Sequence, residues 1–252
     1  MKVLVTGGAG FIGSNVVDLL IERKDQGIIV DNLSSGSKKN IEHLIGKNNF
    51  VFVQDDILNY EPKEKLDYII HMASIATPPL YMQFPIETLD VNIEGTKKLL
   101  KIAKRDNVKG FLFMSTSEVY GNPPDEKFPT NESFHGIVNS FGPRSMYDEG
   151  KRAAEAYCYS FFQKFNLPIR ISRTFNTYGP RIDVESTSQY GRALIKFVHQ
   201  AITGNPITIY GDGKQTRSFC YITDQIEGLF RLLFTSGING EVFNIGNSKE
   251  FS

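Results

Sequence analysis

Short apolar runs alternate along the chain with longer segments in which apolar residues return every three or four positions. The runs fall at Val3–Thr6, Ile28–Val30, Phe50–Gln54, Tyr68–Met72, Phe111–Met114 and Ile169–Ser172. Each has the length and the branched or aromatic content of a buried strand. Between them lie segments such as Ile86, Leu89, Ile93, Thr96, Leu99, Leu100 and Ala103, whose spacing predicts an amphipathic helix. Strands alternating with helical segments between most of them predict a Rossmann-like, doubly wound α/β fold with a parallel sheet between two helical layers. Beyond Asn176 the alternation breaks down. Tyr178-Gly179-Pro180-Arg181, a helix-like stretch over 191–202 and the turn-rich Pro206–Gly213 predict a smaller cap over the rim of the sheet, after which Val242–Ile245 returns as a last strand.

The strand ending at Met114 runs into Ser115-Thr116-Ser117-Glu118-Val119-Tyr120-Gly121, three hydroxyls and a carboxylate. In open α/β sheets ligands bind just outside the carboxyl ends of the strands, so this polar rim suits a polar substrate. A Ser/Thr-rich turn bonding its own backbone explains the same residues. Pro78-Pro79 and Pro123-Pro124 place loops at the same edge.

Composition changes this picture little. Hydrophobic residues at 40% and charged residues at 22% belong to a folded chain. With 28 basic and 28 acidic residues there is no global field to draw nucleic acid or an anionic membrane. Cys158 and Cys220 are far apart and lack metal-ligand spacing, so they read as buried thiols of a reducing compartment, and no metal site is expected. No signal peptide precedes the first strand and no run reaches the ~18 apolar residues of a membrane span, so the expectation is a soluble cytoplasmic protein.

Gly7-Gly8-Ala9-Gly10-Phe11-Ile12-Gly13 lies directly between the first strand and an apolar helical segment. That context suits a tight turn whose backbone approaches a pyrophosphate at a helix N-terminus. Asp31, 18 residues beyond Gly13, ends the second strand, where a carboxylate holds the ribose hydroxyls of NAD and repels the extra phosphate of NADP. Asn32 continues that strand end, and Asp56 and Ile57, after the third strand, are placed for the adenine; a helix cap explains Asp56 as well. Lys38 and Lys39 read as solvated surface. Tyr147 and Lys151, four apart, share one helix face. A phenol with a pKa of ~10 becomes a working base when a neighbouring ammonium lowers it.

Together the glycine loop, the Tyr147/Lys151 pair and the hydroxyl-rich strand end resemble the extended short-chain dehydrogenases that modify nucleotide sugars. Within them the chain is most similar to the decarboxylases of UDP-glucuronate. The resemblance runs through Ala73–Met82, Ser115–Gly121, Gly142–Arg152, Arg173–Arg181 and Gly213–Phe219. It implies an NAD-dependent enzyme in which Thr116 is the catalytic hydroxyl, Tyr147 the base and Lys151 the residue that binds ribose and tunes the phenol. Ser117 and Glu118 match the pair that is Asp-Glu in the related 4,6-dehydratases, and here the acid that drives loss of water is absent. Tyr81, Asn176, Arg181, Arg192 and Tyr210 are implied at the substrate, with Arg217 at its carboxylate. Arg181 and Arg192 read equally as surface salt bridges, and Asn176 as a turn residue.

The implied organisation is an NAD-binding domain over 1–175, rejoined by 222–246, and a substrate-binding region over 176–221 and 247–252. Relatives carry further substrate-region chain past the last strand, so that region is expected to be incomplete at Ser252. A homodimer is implied, as is UDP-glucuronate turned to UDP-xylose through a 4-keto sugar. A 4,6-dehydratase, a 4-epimerase and a non-catalytic NAD-binding protein remain as alternatives.

Overall fold

The computed structural model describes residues 1–182, 193–209 and 211–251. Strand β1 (Lys2–Thr6) leads through the glycine loop into α1 (Phe11–Glu22), then β2 (Gln26–Val30), β3 (Phe50–Val53) and β4 (Tyr68–His71). Two short helices, α2 (Pro78–Gln83) and α3 (Pro85–Asp90), precede α4 (Thr96–Asp106); β5 (Gly110–Thr116), α5 (Ser145–Phe165) and β6 (Ile169–Thr174) follow. Next come β7 (Thr177–Tyr178), α6 (Ala193–Ile202), β8 (Arg217–Ser218), β9 (Cys220–Tyr221), α7 (Ile222–Phe234), β10 (Val242–Ile245) and β11 (Glu250–Phe251).

Seven strands form one sheet in the order β10-β6-β5-β4-β1-β2-β3, every neighbouring pair parallel. Parallel strands are covered on both faces, which is why they read as unbroken apolar runs. Alternate residues feed two cores: Val3, Val5, Ile29 and Ile70 pack with α1 and α7, whereas Leu4, Ile28, Ile69, Phe111 and Ile169 pack with α4 and α5. From β1 the chain adds β2 and β3 on one side and then β4, β5 and β6 on the other, and that reversal of order opens the crevice at the carboxyl ends of β1 and β4.

The helix predicted as continuous over Ile86–Ala103 is broken. Residues Val91–Gly95 form a π-helical turn between α3 and α4, and Ile86 points to solvent, 64% exposed. The predicted last strand is β10, which extends the main sheet beside β6 in register Val242↔Ile171. Outside that sheet, β7 pairs with β9 and β8 with β11. Arg192 and Tyr210 lie outside the described residues, and both cysteines are free and buried. No helix among the described residues is long and apolar enough to cross a membrane.

Candidate active site

A cleft of about 810 Å³ occupies the crevice, lined by Gly7, Gly10, Phe11, Ile12 and Gly13 on one side and by Asp31, Asn32, Asp56 and Ile57 on another. Gly10 is the N-cap of α1 and no side chain caps that helix, so its first turn opens on the cleft as an anion-binding end. A Cβ on Gly13 would lie 2.1 Å from the Gly7 carbonyl oxygen, so only glycine lets the loop close on the helix. Asp31 is 8% exposed. Its two oxygens accept from Ala9 N at 2.9 Å and Leu33 N at 2.8 Å, which leaves lone pairs for a ribose diol. Burial raises its pKa against these two backbone donors. Asp56 caps its own turn through Leu58 N (2.9 Å) and also accepts from Asn32 Nδ2 (2.9 Å), so the cap and the cleft wall are one residue. The segment 34–40 borders the same cleft, fastened by Ser37 N and Asn40 Nδ2 to the Ala9 carbonyl. Uncapped amides at one end and a paired carboxylate at the other fit a dinucleotide with free ribose hydroxyls.

Beside this cleft, whose lining includes Met114 but not Thr116, Tyr147 or Lys151, β5 meets the first turns of α5. Thr116 is buried and its Oγ1 accepts from Glu118 N at 3.3 Å, so it caps the short turn Ser117–Tyr120 as well as facing the rim. Tyr147 lies in the first turn of α5, stacked on Tyr81 with ring centroids 5.4 Å apart and planes at 9°. Lys151 is 2% exposed; its Nζ donates to the Met114 carbonyl at 2.9 Å and sits 4.9 Å from the Phe113 ring centroid. Burial pulls its pKa down to about 7, against the opposing charge of Glu155.

Three residues not singled out from the sequence belong to this end. Arg144, the residue before α5, pairs with Glu118 and with Asp148, joining the β5 turn to the helix that carries Tyr147. Its spacing from Asp148, four residues, is the only sequence signal for it. Asn92, in the π turn, accepts from Ser74 Oγ at 2.9 Å and donates to the Thr88 carbonyl at 2.8 Å. His71, at the end of β4, bridges Thr6 Oγ1 (2.8 Å) and Thr96 Oγ1 (2.9 Å).

The residues expected at the substrate are less convergent. Tyr81 is brought against Tyr147. Arg181, with φ of 73°, pairs with Asp18 of α1 at 2.6 Å and lines the cofactor cleft. Asn176 donates to the Ser218 carbonyl at 3.3 Å and takes Cys220 N on its own carbonyl at 2.8 Å, as a turn residue would. Arg217 is exposed on β8, its guanidinium bonded to the Thr216 carbonyl at 2.7 Å.

The chain is 43% identical over its whole length to UDP-glucuronic acid decarboxylase 1 of Xenopus tropicalis, of which it spans 57%. It is also 43% identical to UDP-glucuronic acid decarboxylase 6 of Arabidopsis thaliana, of which it spans 71%. Among solved structures, UDP-glucuronic acid 4-epimerase from Bacillus cereus in complex with NAD superposes with a TM-score of 0.86 at 32% identity, covering all of this chain and 80% of that one. Residues 3–246 match the model of the NAD dependent epimerase/dehydratase family, and the chain belongs to that family.

Proposed function

We propose that the protein decarboxylates UDP-glucuronate to UDP-xylose through a 4-keto sugar. The observation that carries this reading is the β5 rim. Ser117 stands where a dehydratase needs an acid, beside a Glu118 whose carboxylate is held by Arg144. The names of the frog and plant relatives support it. NAD, when bound, supplies a hydride acceptor. Tyr147 takes the proton of the sugar 4-hydroxyl, Thr116 hydrogen-bonds the same oxygen, and Lys151 stabilises the phenolate by its charge. As C4 loses hydride its C–O bond becomes a carbonyl. The carboxylate, now β to that ketone, leaves as CO₂ and its bonding electrons flow into an enolate. The enolate takes a proton from solvent water at C5, C4 regains a hydride, and the Tyr147 proton returns to the 4-oxygen, which gives the pentose.

Arg217 is the proposed partner of the substrate carboxylate, with Glu118 positioning the ring or a water. Residues 1–175 with 222–246 form the cofactor half of this reading, and 176–221 with 247–252 the substrate half. A homodimer is supported by apolar exposure at Phe84 and Ile86 at the start of α3 and at Tyr159 on α5, and is read by light scattering. Two free buried thiols support a cytoplasmic location.

The test is incubation with NAD and UDP-glucuronate, with products identified by mass. A pentose nucleotide and CO₂ are expected. An isomeric uronate of unchanged mass replaces this reading with a 4-epimerase, which the Bacillus cereus neighbour favours as the second choice. In the same assay Arg217→Ala abolishes CO₂ release at unchanged NAD affinity; unaltered turnover removes Arg217 from the mechanism.

A further inference from the structure

Tyr147, Lys151 and Glu155 recur every fourth residue of α5 and so form one stripe. Consecutive residues of β5 meet it. The Met114 carbonyl takes Lys151 Nζ at 2.9 Å, Ser115 Oγ donates to Glu155 Oε1 at 2.6 Å, and Thr116 follows at the rim. The redox step described above uses Tyr147, Lys151 and Thr116 and leaves Glu155 without a task. Yet its side chain is only 13% exposed and heavily engaged. Arg173 of β6 grips both its oxygens, Nε to Oε1 at 3.0 Å and Nη2 to Oε2 at 2.7 Å. The same guanidinium donates to Tyr120 Oη at 3.0 Å, and that hydroxyl donates to Asn244 Oδ1 of β10 at 2.7 Å. A carboxylate so largely withdrawn from water costs desolvation that apolar packing would avoid, so its retention calls for a task beyond filling space.

The charged and titratable groups facing Lys151 are few. From β4 comes His71, neutral because burial and the Lys151 charge pull its pKa down to about 3. From α5 come Tyr147, Glu155 and Cys158, whose thiol burial pushes up and keeps uncharged. From β6 comes Arg173, already matched to Glu155. Glu155 thus provides the negative charge among these groups at neutral pH, and it is the largest influence opposing the desolvation of Lys151.

We propose that Glu155, anchored by Ser115 and Arg173, is a positioning residue whose carboxylate keeps the Lys151 ammonium charged beside Tyr147. The proposal rests on the reading of Tyr147 as the base, and its first test needs no substrate. Lys151 is titrated by NMR in lysine-labelled, cofactor-free protein, and the pH dependence of turnover is measured in parallel. Glu155→Gln keeps the shape and an acceptor for Ser115. It is expected to lower the Lys151 titration and to move the acid limb of turnover to higher pH, each by about one pH unit. Arg173→Met leaves the carboxylate unneutralised and moves both the opposite way. Glu155→Asp, which keeps the charge, restores a profile near that of the parent. Opposite displacements exclude a merely structural role, because both substitutions break the same buried pair. A Lys151 titration unchanged in folded Glu155→Gln, or displaced in the same direction by Glu155→Gln and Arg173→Met, overturns the proposal. A displaced titration with no turnover of any uronate would instead overturn the proposed reaction and leave the role of Glu155 standing.

Discussion

Tyr147 is held by its ring, and the role proposed above falls to its oxygen. The ring stacks on Tyr81, and Met146 and Ile75 complete that small apolar cluster. Tyr147→Phe therefore keeps the packing and deletes only the proton acceptor. Turnover is expected to fall by at least ~10²-fold, the usual weight of a general base, while NAD affinity and melting temperature stay near those of the parent. Retained turnover in that variant would take the phenol out of the chemistry. Asp31 makes the second prediction at this scale. Its oxygens are fixed by Ala9 and Leu33 amides, so it cannot swing away from a 2′-phosphate. Titration calorimetry should find NAD bound more tightly than NADP by ~10²-fold or more, and Asp31→Ser should narrow that ratio by weakening NAD and admitting NADP. Their positions, Asp31 just past β2 and Tyr147 one turn before Lys151 on α5, were legible in the sequence because each belongs to a contiguous motif whose spacing carries its own geometry. Arg144 was not, because its meaning lies in a Glu118 that is 26 residues away along the chain.

The elements were legible wherever the apolar period alone decides them, and β1 to β6 follow the predicted runs closely. The π turn at Val91–Gly95 escaped because its cause is polar. An extra residue in the turn swings Asn92 inward, where it joins Ser74 after β4 to Thr88 of α3, and a count of apolar positions does not register an inward amide. Opposite this turn, α5 presents Gly150, between Tyr147 and Lys151. A Cβ there would sit 3.3 Å from Asn92 Cβ and Nδ2. Asn92 is fully buried and bonded on both sides, so it has little room to yield. Gly150→Ala is therefore expected to destabilise by ~1–3 kcal/mol as an overpacked contact, despite alanine's better helix propensity. Denaturant unfolding measures it, and a stabilised variant would mean that the α5 face is looser than described.

The molecule places two ionisable groups, His71 and Lys151, against the same Phe113 ring on one face of its sheet, and both are wholly buried. Neither burden was visible in sequence, since a histidine at a strand end and a lysine on a helix are ordinary until a second layer covers them. Burial pulls His71 down to about 3 from an ordinary value of 6.5. In the unfolded chain it takes up a proton as pH falls below ~6.5, whereas in the folded chain it does so only near 3. Stability is therefore full above the unfolded value and is lost as pH falls, with a slope of up to ~1.4 kcal/mol per pH unit within that window. Lys151, pulled down to about 7 by burial, acts in the alkaline window. Between about 7 and ~10.4 the unfolded chain holds a proton that the folded chain has released, so this group adds stability as pH rises. Asp31 and Asp148, whose carboxyls burial raises, work in the opposite sense on the acid side and partly mask His71. Comparison with His71→Asn removes that masking, because both proteins carry the same carboxylates. Urea unfolding at pH 7.5, 6 and 4.5 should show the parent losing more stability on acidification than the variant, by ~2–3 kcal/mol over that range. Parallel losses in the two proteins would mean that His71 is already protonated in the fold, and that Thr6 and Thr96 accept from an imidazolium instead of bridging a neutral ring.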